Sequence, residues 1–183
     1  SQPSISSNRL FLSGGWKSLG PDTMGIITGH YAAGLGQVIY VEVNRVNSQH
    51  IYMGSRSGGL WRTSNGGATW SHHTDFLPAS GVNAISASPS NFDSVLINVR
   101  NASNGTSFGI YRSTDNLQTW VRTNTAWNVR DIEFHPTNNN IIYVYENYYW
   151  GTNKNKIFKS TNQGLSYVGL TDLPGNANAS INI

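Results

Sequence analysis

Short runs of β-branched and aromatic residues alternate with turns rich in Gly, Asn and Ser along the chain, and this alternation repeats. In residues 82–87 apolar and polar side chains alternate, which fits a β-strand with one face buried. Each repeat unit is predicted to contain four strands, here termed A to D in chain order. The predicted A strands are 38–43, 82–87 and 129–134, the B strands 50–53, 94–99 and 141–145, and the C strands 59–62, 109–112 and 156–159.

An eight-residue motif links strand C to strand D in each unit. It has Ser or Thr first, Asp or Asn third and an aromatic residue last, and the last residues are 50 and 47 positions apart. That period matches the length of one four-stranded blade of a β-propeller, whereas a β-sandwich does not repeat its sequence in this way. The three motifs occupy residues 63–70, 113–120 and 160–167.

Each characteristic residue of the motif is expected to stabilise the turn. The Asp or Asn side chain accepts hydrogen bonds from backbone N–H groups and closes the turn. A Gly two residues later permits positive φ, and the aromatic residue packs over the hairpin. Leu117 replaces that Gly in the second motif, which leaves the geometry of this turn open. The structural positions are Asn65, Gly67 and Trp70, then Asp115 and Trp120, then Asn162, Gly164 and Tyr167.

The repeat predicts an all-β chain that forms part of a β-propeller. A propeller closes with four to eight blades, and three blades alone would leave uncovered faces and unpaired edges. We therefore expect a fragment, or a part completed by other chains. The predicted divisions are an N-terminal extension at 1–15 and a partial propeller at 16–183, with blades at about 36–74, 81–123 and 128–170 and the first strand of a fourth at 178–183.

The composition limits the kinds of partner and cofactor that the chain is expected to bind. The 12 basic and 9 acidic residues are dispersed, so the formal charge of +3 predicts no nucleic-acid partner. The absence of Cys excludes disulfides and thiolate metal sites. No stretch approaches the ~20 apolar residues of a membrane-spanning helix. We predict neither a cofactor nor a metal ion.

At the three motifs the sequence resembles the Asp-box superfamily, also known for the bacterial neuraminidase repeat. Residues 47–62 look most similar to the xyloglucanase-like branch and to secreted propellers of Bacteroidota, many of them exported by the type IX system. The resemblance implies a β-propeller that is secreted or attached to a cell surface and that binds carbohydrate. It is specific for the fold and not for an activity.

The catalytic residues of those families do not carry over. Arg56 stands where xyloglucanase-type enzymes place an acidic residue, and an Arg cannot act as a general acid or nucleophile. Sialidases need an arginine triad and an Arg-Ile-Pro motif, and the motif is absent. Arg56, Arg100 and Arg130 are therefore interpreted as separate surface charges.

The loop between strands B and C of the third unit is the best candidate for ligand binding. Tyr148, Tyr149 and Trp150 could stack on sugar rings beside Asn and Thr side chains, with Arg56 in the corresponding loop of the first unit. The alternative is that these aromatic residues pack on a neighbouring blade.

Asp131 and Glu133 are weak catalytic candidates, because residues two apart on a strand share a face and an inner strand lines the channel. A structural carboxylate pair is the alternative, since one strand does not set the separation that glycosidases need. His72, His73 and Asp75 could bind a metal ion, but neighbouring residues on a strand point to opposite faces.

The leading hypothesis is a non-catalytic, secreted or cell-surface propeller that binds a glycan or a protein and belongs to a larger protein or assembly. The alternative is a fragment of a xyloglucanase- or sialidase-like glycoside hydrolase. An intracellular interaction propeller fits the lack of Cys but not the resemblance. An acidic pair facing the channel from different blades would favour the enzyme.

Overall fold

The computed structural model describes residues 37–78, 81–100, 108–125, 129–146 and 156–170. Within these ranges the chain forms three four-stranded antiparallel sheets, each a meander in chain order. The all-β prediction is confirmed. The first sheet contains β1 (Val38–Val43), β2 (Ile51–Ser55), β3 (Gly59–Thr63) and β4 (Ser71–His72); the second β5 (Gly81–Ala87), β6 (Val95–Arg100), β7 (Gly109–Ser113) and β8 (Val121–Asn124); the third β9 (Val129–His135), β10 (Asn138–Glu146), β11 (Lys156–Ser160) and β12 (Val168–Gly169).

Equivalent residues pair in the same register in all three sheets. The face that each sheet turns toward the following sheet is called its front face, and the opposite one its back face. On the front face, one row of paired residues crosses the first three strands of each sheet. This row is Glu42–Tyr52–Arg62 in the first sheet, Ser86–Leu96–Arg112 in the second and Glu133–Tyr143–Lys159 in the third. One ladder of the back face is Val41–Met53–Trp61, then Ile85–Ile97–Tyr111, then Ile132–Val144–Phe158.

The hydrophobic core lies between consecutive sheets. Tyr52 and Leu60 of the first sheet pack with Ile85 and Ile97 of the second. A second cluster joins the front face of the second sheet to the back face of the third. Burial of these apolar side chains stabilises the stack by about 25 cal/mol for each Å² removed from water.

The middle inner strand, β5, is buried on both faces, so the expectation of one buried face is wrong for it. Asn83 and Ser86, its polar positions, are only 7% and 3% exposed. The reason is that β5 has a sheet on either side. Ser86 Oγ accepts a hydrogen bond from the backbone N–H of Phe134 on β9 at 3.2 Å, which satisfies one of these buried polar groups.

The three motif turns, 63–70, 113–120 and 160–167, close in the same way. In the second turn Asp115 Oδ1 accepts hydrogen bonds from Ser113 Oγ and from the N–H of Thr119, and Asn65 and Asn162 make the corresponding bonds in the other two. Leu117 adopts a φ of 66° where the other turns have glycine. The substitution therefore leaves the geometry of the second turn unchanged.

The motif turns and the turns between strands A and B share one end of the sheets, here called the turn end. The N–H of Gly66 donates to Gln49 O at 3.0 Å, and the N–H of Gln163 donates to Asn140 O at 3.1 Å. The β2–β3 turn, the end of β6 and the starts of the inner strands lie at the opposite end, the loop end.

Candidate functional site

Three arginines converge at the loop end, each delivered by a different sheet. Arg56 lies in the tight turn between β2 and β3, Arg100 is the last residue of β6, and Arg130 is the second residue of β9. B strands end and A strands begin at this end, so the meander topology itself brings the three positions together.

The arginines are close enough to influence one another electrostatically. Burial, followed by the positive charges of Arg130 and Arg56, lowers the pKa of Arg100. A guanidinium remains protonated at physiological pH nonetheless, so the loop end carries three cations. The sequence analysis considered each residue only within its own unit and so did not predict this proximity.

A cavity of about 160 Å³ lies beside two of these arginines. Tyr40 Oη donates a hydrogen bond to the backbone carbonyl of Arg130, which links β1 to β9 at this cavity. Desolvation and the negative charge of Asp131 raise the pKa of the Tyr40 phenol, while Arg130 opposes the shift. The lining residues are Ile39, Tyr40, Arg56, Asn83, Val129 and Arg130.

This donor set matches an oxyanion. Guanidinium groups form charge-assisted, often bidentate hydrogen bonds with carboxylate, sulfate or phosphate groups. Asn83 supplies an amide on the cavity wall, and Ile39 and Val129 supply apolar surface. The chemistry of such an arrangement is suited to holding and orienting an anion.

The remaining predicted ligand residues cannot be placed beside this cavity. Tyr148, Tyr149 and Trp150 lie outside the described residues, so their role stays a prediction. Arg56 does lie at the loop end and is exposed.

Of the two acidic candidates, Asp131 lies next to Arg130 near the start of β9, and Glu133 lies at the opposite end. Asp131 Oδ1 accepts a hydrogen bond from the adjacent N–H of Ile132 at 3.0 Å. Glu133 faces Glu42 of β1 in a cavity of about 220 Å³ at the turn end, beside Arg45. The pair across two sheets thus involves Glu42, which the sequence analysis missed. Its signal was available: Glu42 and Glu133 occupy equivalent positions in their A strands.

These carboxyl groups have perturbed acidities. Burial first, and then the negative charge of Glu133, raise the pKa of Glu42 to about 7, against the opposing charge of Arg45. Desolvation and the charge of Asp131 also raise the pKa of Glu133, and Arg45 again lowers it. A carboxyl group with a pKa near neutrality is a candidate for proton transfer or for a structural role in a tight cavity.

The histidines next to β4 serve separate structural contacts. His72 Nδ1 lies 2.7 Å from Asp75 Oδ1, and its Nε2 lies 3.0 Å from Gly58 O. His73 Nε2 instead contacts Ser71 Oγ at 2.8 Å. In the part of the chain that the structure describes, no three His, Asp or Glu residues are grouped so as to hold a metal ion. The same part contains no helix with the length and apolar character needed to span a membrane.

Solved structures similar to this chain are β-propellers. An ancestral GH74 enzyme superposes with a TM-score of 0.62 and 20% identity over 85% of this chain and 19% of its own. The GH74 enzyme of Niastella koreensis gives 0.57 and 20% over 70% of this chain and 20% of its own. YCF48 bound to D1 peptide gives 0.54 and 16% over 74% of this chain and 41% of its own. No protein-family model and no curated protein sequence matches.

These likenesses show the fold. The chain forms part of a β-propeller, and it spans about a fifth of the GH74 enzymes and two fifths of YCF48.

Proposed function

We propose that the chain is a non-catalytic binding module of an Asp-box β-propeller, secreted or at a cell surface, that holds an anionic group of a glycan or protein partner at its loop end. The observation that carries this proposal is the convergence of Arg56, Arg100 and Arg130 from three sheets. Arginine side chains from three sheets give this end a positively charged surface, and guanidinium groups bind anions through charge-assisted hydrogen bonds.

The partner group has a defined chemistry. The cavity of about 160 Å³ is lined by the exposed Arg56 and Arg130, and the anions that suit these side chains are carboxylate, sulfate and phosphate groups. A negatively charged peptide segment and an acidic polysaccharide share this group. Because propellers commonly bind ligands at loops of one end, the location also fits a binding surface.

The similar structures support binding of either kind of partner. YCF48 has been captured with a peptide, and GH74 proteins are enzymes. Arg56 stands in the loop where the xyloglucanase-like resemblance expects an acidic residue, which favours binding over hydrolysis at this end.

A binding titration tests the proposal. Calorimetry with polyglutamate and with polygalacturonate, at low and at high salt, would show which partner class binds. Arg56→Gln and Arg130→Gln should each weaken the binding about 10- to 100-fold, because a charge-assisted hydrogen bond contributes about 1.5–3 kcal/mol. Arg122→Gln, which removes an exposed arginine on the outer strand β8, is the matched control. Equal losses in all three variants would indicate nonspecific charge attraction and contradict a loop-end site.

A second function is favoured by the carboxyl pair at the turn end. Glu42 and Glu133 come from different sheets, and the pKa of Glu42 is raised to about 7, as a general acid of a glycoside hydrolase requires. Release of reducing sugar from xyloglucan that is lost in Glu42→Gln would establish this hydrolase. Hydrolysis that persists in Glu42→Gln and in Glu133→Gln would exclude the pair as its catalytic residues.

A further inference from the structure

A third cavity lies at the turn end, between the second and third sheets. Its volume of about 320 Å³ exceeds that of the two cavities described above and lies within the range of about 300–1,000 Å³ that is usual for small-molecule sites. One wall comes from the β5–β6 turn, β7 and the second motif turn, and the other from β9, β10 and the third motif turn. Both walls are therefore described parts of the chain, and neither is an outer face of the stack of sheets.

The cavity is lined mainly by uncharged polar side chains. Among the described residues around it, Arg112 is the only charged one. Amide groups come from Asn91, Asn139 and Gln163, hydroxyl groups come from two Ser and one Thr, and the ring of Phe134 adds apolar surface. Amides and hydroxyls both donate and accept hydrogen bonds, so they match the hydroxyl groups of a sugar, which also do both.

Hydrogen bonds between the two walls hold the lining side chains in place. Gln163 donates from its side-chain amide to Asn140 Oδ1 and from its backbone N–H to Asn140 O, both at 3.1 Å. Its Oε1 accepts a hydrogen bond from an Nη of Arg112 at 2.9 Å, which anchors the guanidinium of one sheet on the motif turn of the next. Asn139 Nδ2 donates to Ser90 Oγ and joins the turns between strands A and B of the two sheets. A site that is ordered in advance loses less conformational entropy when a ligand binds.

We propose that this cavity binds a carboxylated sugar such as a uronic acid, with the carboxylate on Arg112 and the ring hydroxyls on the surrounding amides. A guanidinium has five N–H donors, so the bond to Gln163 leaves others for charge-assisted hydrogen bonds to a carboxylate. The described lining contains no acidic side chain that would compete for these donors. The site lies at the turn end and is separate from the loop-end arginines, so it does not depend on the function proposed for them.

An NMR titration of the full chain with sodium glucuronate at constant ionic strength tests this proposal. The side-chain NH₂ signals of Asn91, Asn139 and Gln163 should shift together and reach saturation. Glucose lacks the carboxylate and acetate lacks the ring hydroxyls, so each should bind more weakly by about tenfold or more. Arg112→Gln should weaken glucuronate binding by about tenfold or more, because it removes the charge-assisted hydrogen bonds.

Arg62→Gln is the matched control. Arg62 occupies the equivalent position in the first sheet, and the Nε atoms of both arginines are buried without a hydrogen-bond partner in the described part of the chain, so the two variants remove similar side chains. The cavity beside Arg62 has no amide side chain among its described lining residues. Arg62→Gln should therefore bind glucuronate as the unaltered chain does.

Thr114→Val is a second variant that does not disturb the core. Thr114 is exposed and lines the cavity, so loss of its hydroxyl should weaken glucuronate binding several-fold while the fold is retained. Acetate that binds as tightly as glucuronate would mean a site for any small anion and would overturn the proposal. Glucuronate binding that persists in Arg112→Gln, or that falls equally in Arg62→Gln, would place the ligand elsewhere and would overturn it as well.

Discussion

The phenol of Tyr40 on β1 donates a hydrogen bond to the backbone carbonyl of Arg130 on β9. The two residues are 90 positions apart and belong to the inner strands of the first and third sheets, with β5 between them in the stack. This bond fixes the backbone that carries one of the three loop-end arginines. The geometry of the candidate site therefore depends on packing between sheets as well as on the turns of each sheet.

Replacing Tyr40 by Phe should weaken anion binding at the loop end several-fold and lower the free energy of unfolding by about 1 kcal/mol, the usual contribution of one hydrogen bond. Titration with polyglutamate and urea denaturation would measure the two effects. Tyr52→Phe is the matched control, because it removes a bond of the same kind, from Tyr52 Oη to Phe92 O at 3.0 Å, away from the arginines. If both variants lost the same amount of binding, the link from Tyr40 to Arg130 would have no specific role.

Glu42 should make the protein less stable as pH rises toward neutrality. Its pKa is raised to about 7 in the folded chain from 4.5, so the folded state binds more protons than the unfolded state between these values. The contribution of Glu42 to the free energy of unfolding is therefore greatest below pH 4.5, and it falls as the pH rises to about 7. Glu42→Gln should remove that fall and raise the free energy of unfolding at pH 8 by about 1–2 kcal/mol, after discounting for solvent screening.

Urea denaturation at a series of pH values would measure this dependence. Arg45→Gln provides the opposing variant, since Arg45 lowers the pKa of Glu42. Its removal should extend the fall in stability to higher pH. A Glu42→Gln protein with the same pH profile as the unaltered chain would show that the carboxyl group is not buried in solution.

Much of the fold was predictable from local pattern. The order of strands A to D and the three motif turns follow from residue periodicity and from Asn65, Asp115 and Asn162, whose hydrogen bonds are local to each turn. The complete burial of Asn83 and Ser86 was not predictable in this way. Alternation along one strand reports the faces of one sheet, whereas burial of the polar positions of β5 results from the sheets on either side.

The candidate site was less predictable for a related reason. Arg56 lies in a turn, Arg100 at the end of a strand and Arg130 near the start of a strand. They are therefore not at equivalent positions of the repeat, and an alignment of the three repeats does not match them with one another. Their proximity follows from the fact that B strands end where A strands begin. Glu42 and Glu133, in contrast, occupy equivalent positions of the repeat, so a comparison of the inner strands would have identified that pair.

The Asp115 carboxylate should stabilise the second motif turn until the pH is low enough to protonate it. Hydrogen bonds from Thr119, first from its side chain and then from its backbone, hold the pKa of Asp115 at about 2, below its ordinary value of 3.8. Its stabilising contribution is therefore complete above pH 3.8 and is lost as pH falls through 2. Asp115→Asn should abolish this loss, because Asn65 and Asn162 close the other two turns as neutral side chains.

Asp115→Ala separates the charge from the hydrogen bonds. It removes the acceptor of the hydrogen bonds from Ser113, Gln118 and Thr119, and should lower the melting temperature more than Asp115→Asn at every pH. Thermal unfolding at pH 7 and at pH 2.5 would measure both variants. Equal melting temperatures for the Asn and Ala variants would contradict the role of this side chain in closing the turn.

Leu117 should show an unusual order of stability among its variants. The residue has a φ of 66° and its side chain is 1% exposed in the core between the first two sheets. Leu117→Ala creates a cavity, at a cost of about 2–5 kcal/mol, and keeps the strained backbone. Leu117→Gly creates a similar cavity but relieves strain of about 1 kcal/mol. We therefore expect the Gly variant to be more stable than the Ala variant in urea denaturation, the reverse of the order at an ordinary strand position.

Gly109 should tolerate no side chain, because β7 makes a close backbone contact there. Its φ is 146°, and a Cβ atom would lie 2.0 Å from the carbonyl oxygen of Asn124 on β8, beside a shift in register between Ile110 and Tyr111. Backbone cannot move aside as a flexible side chain does, so Gly109→Ala should lower the free energy of unfolding by more than about 2 kcal/mol. Gly169→Ala is the matched control in the third sheet, since its Cβ would meet Phe158 at an ordinary 3.6 Å. Its effect should stay within about 0.5 kcal/mol, and a similar loss in both variants would mean that strand propensity, and not the approach of β8, determines the residue at position 109.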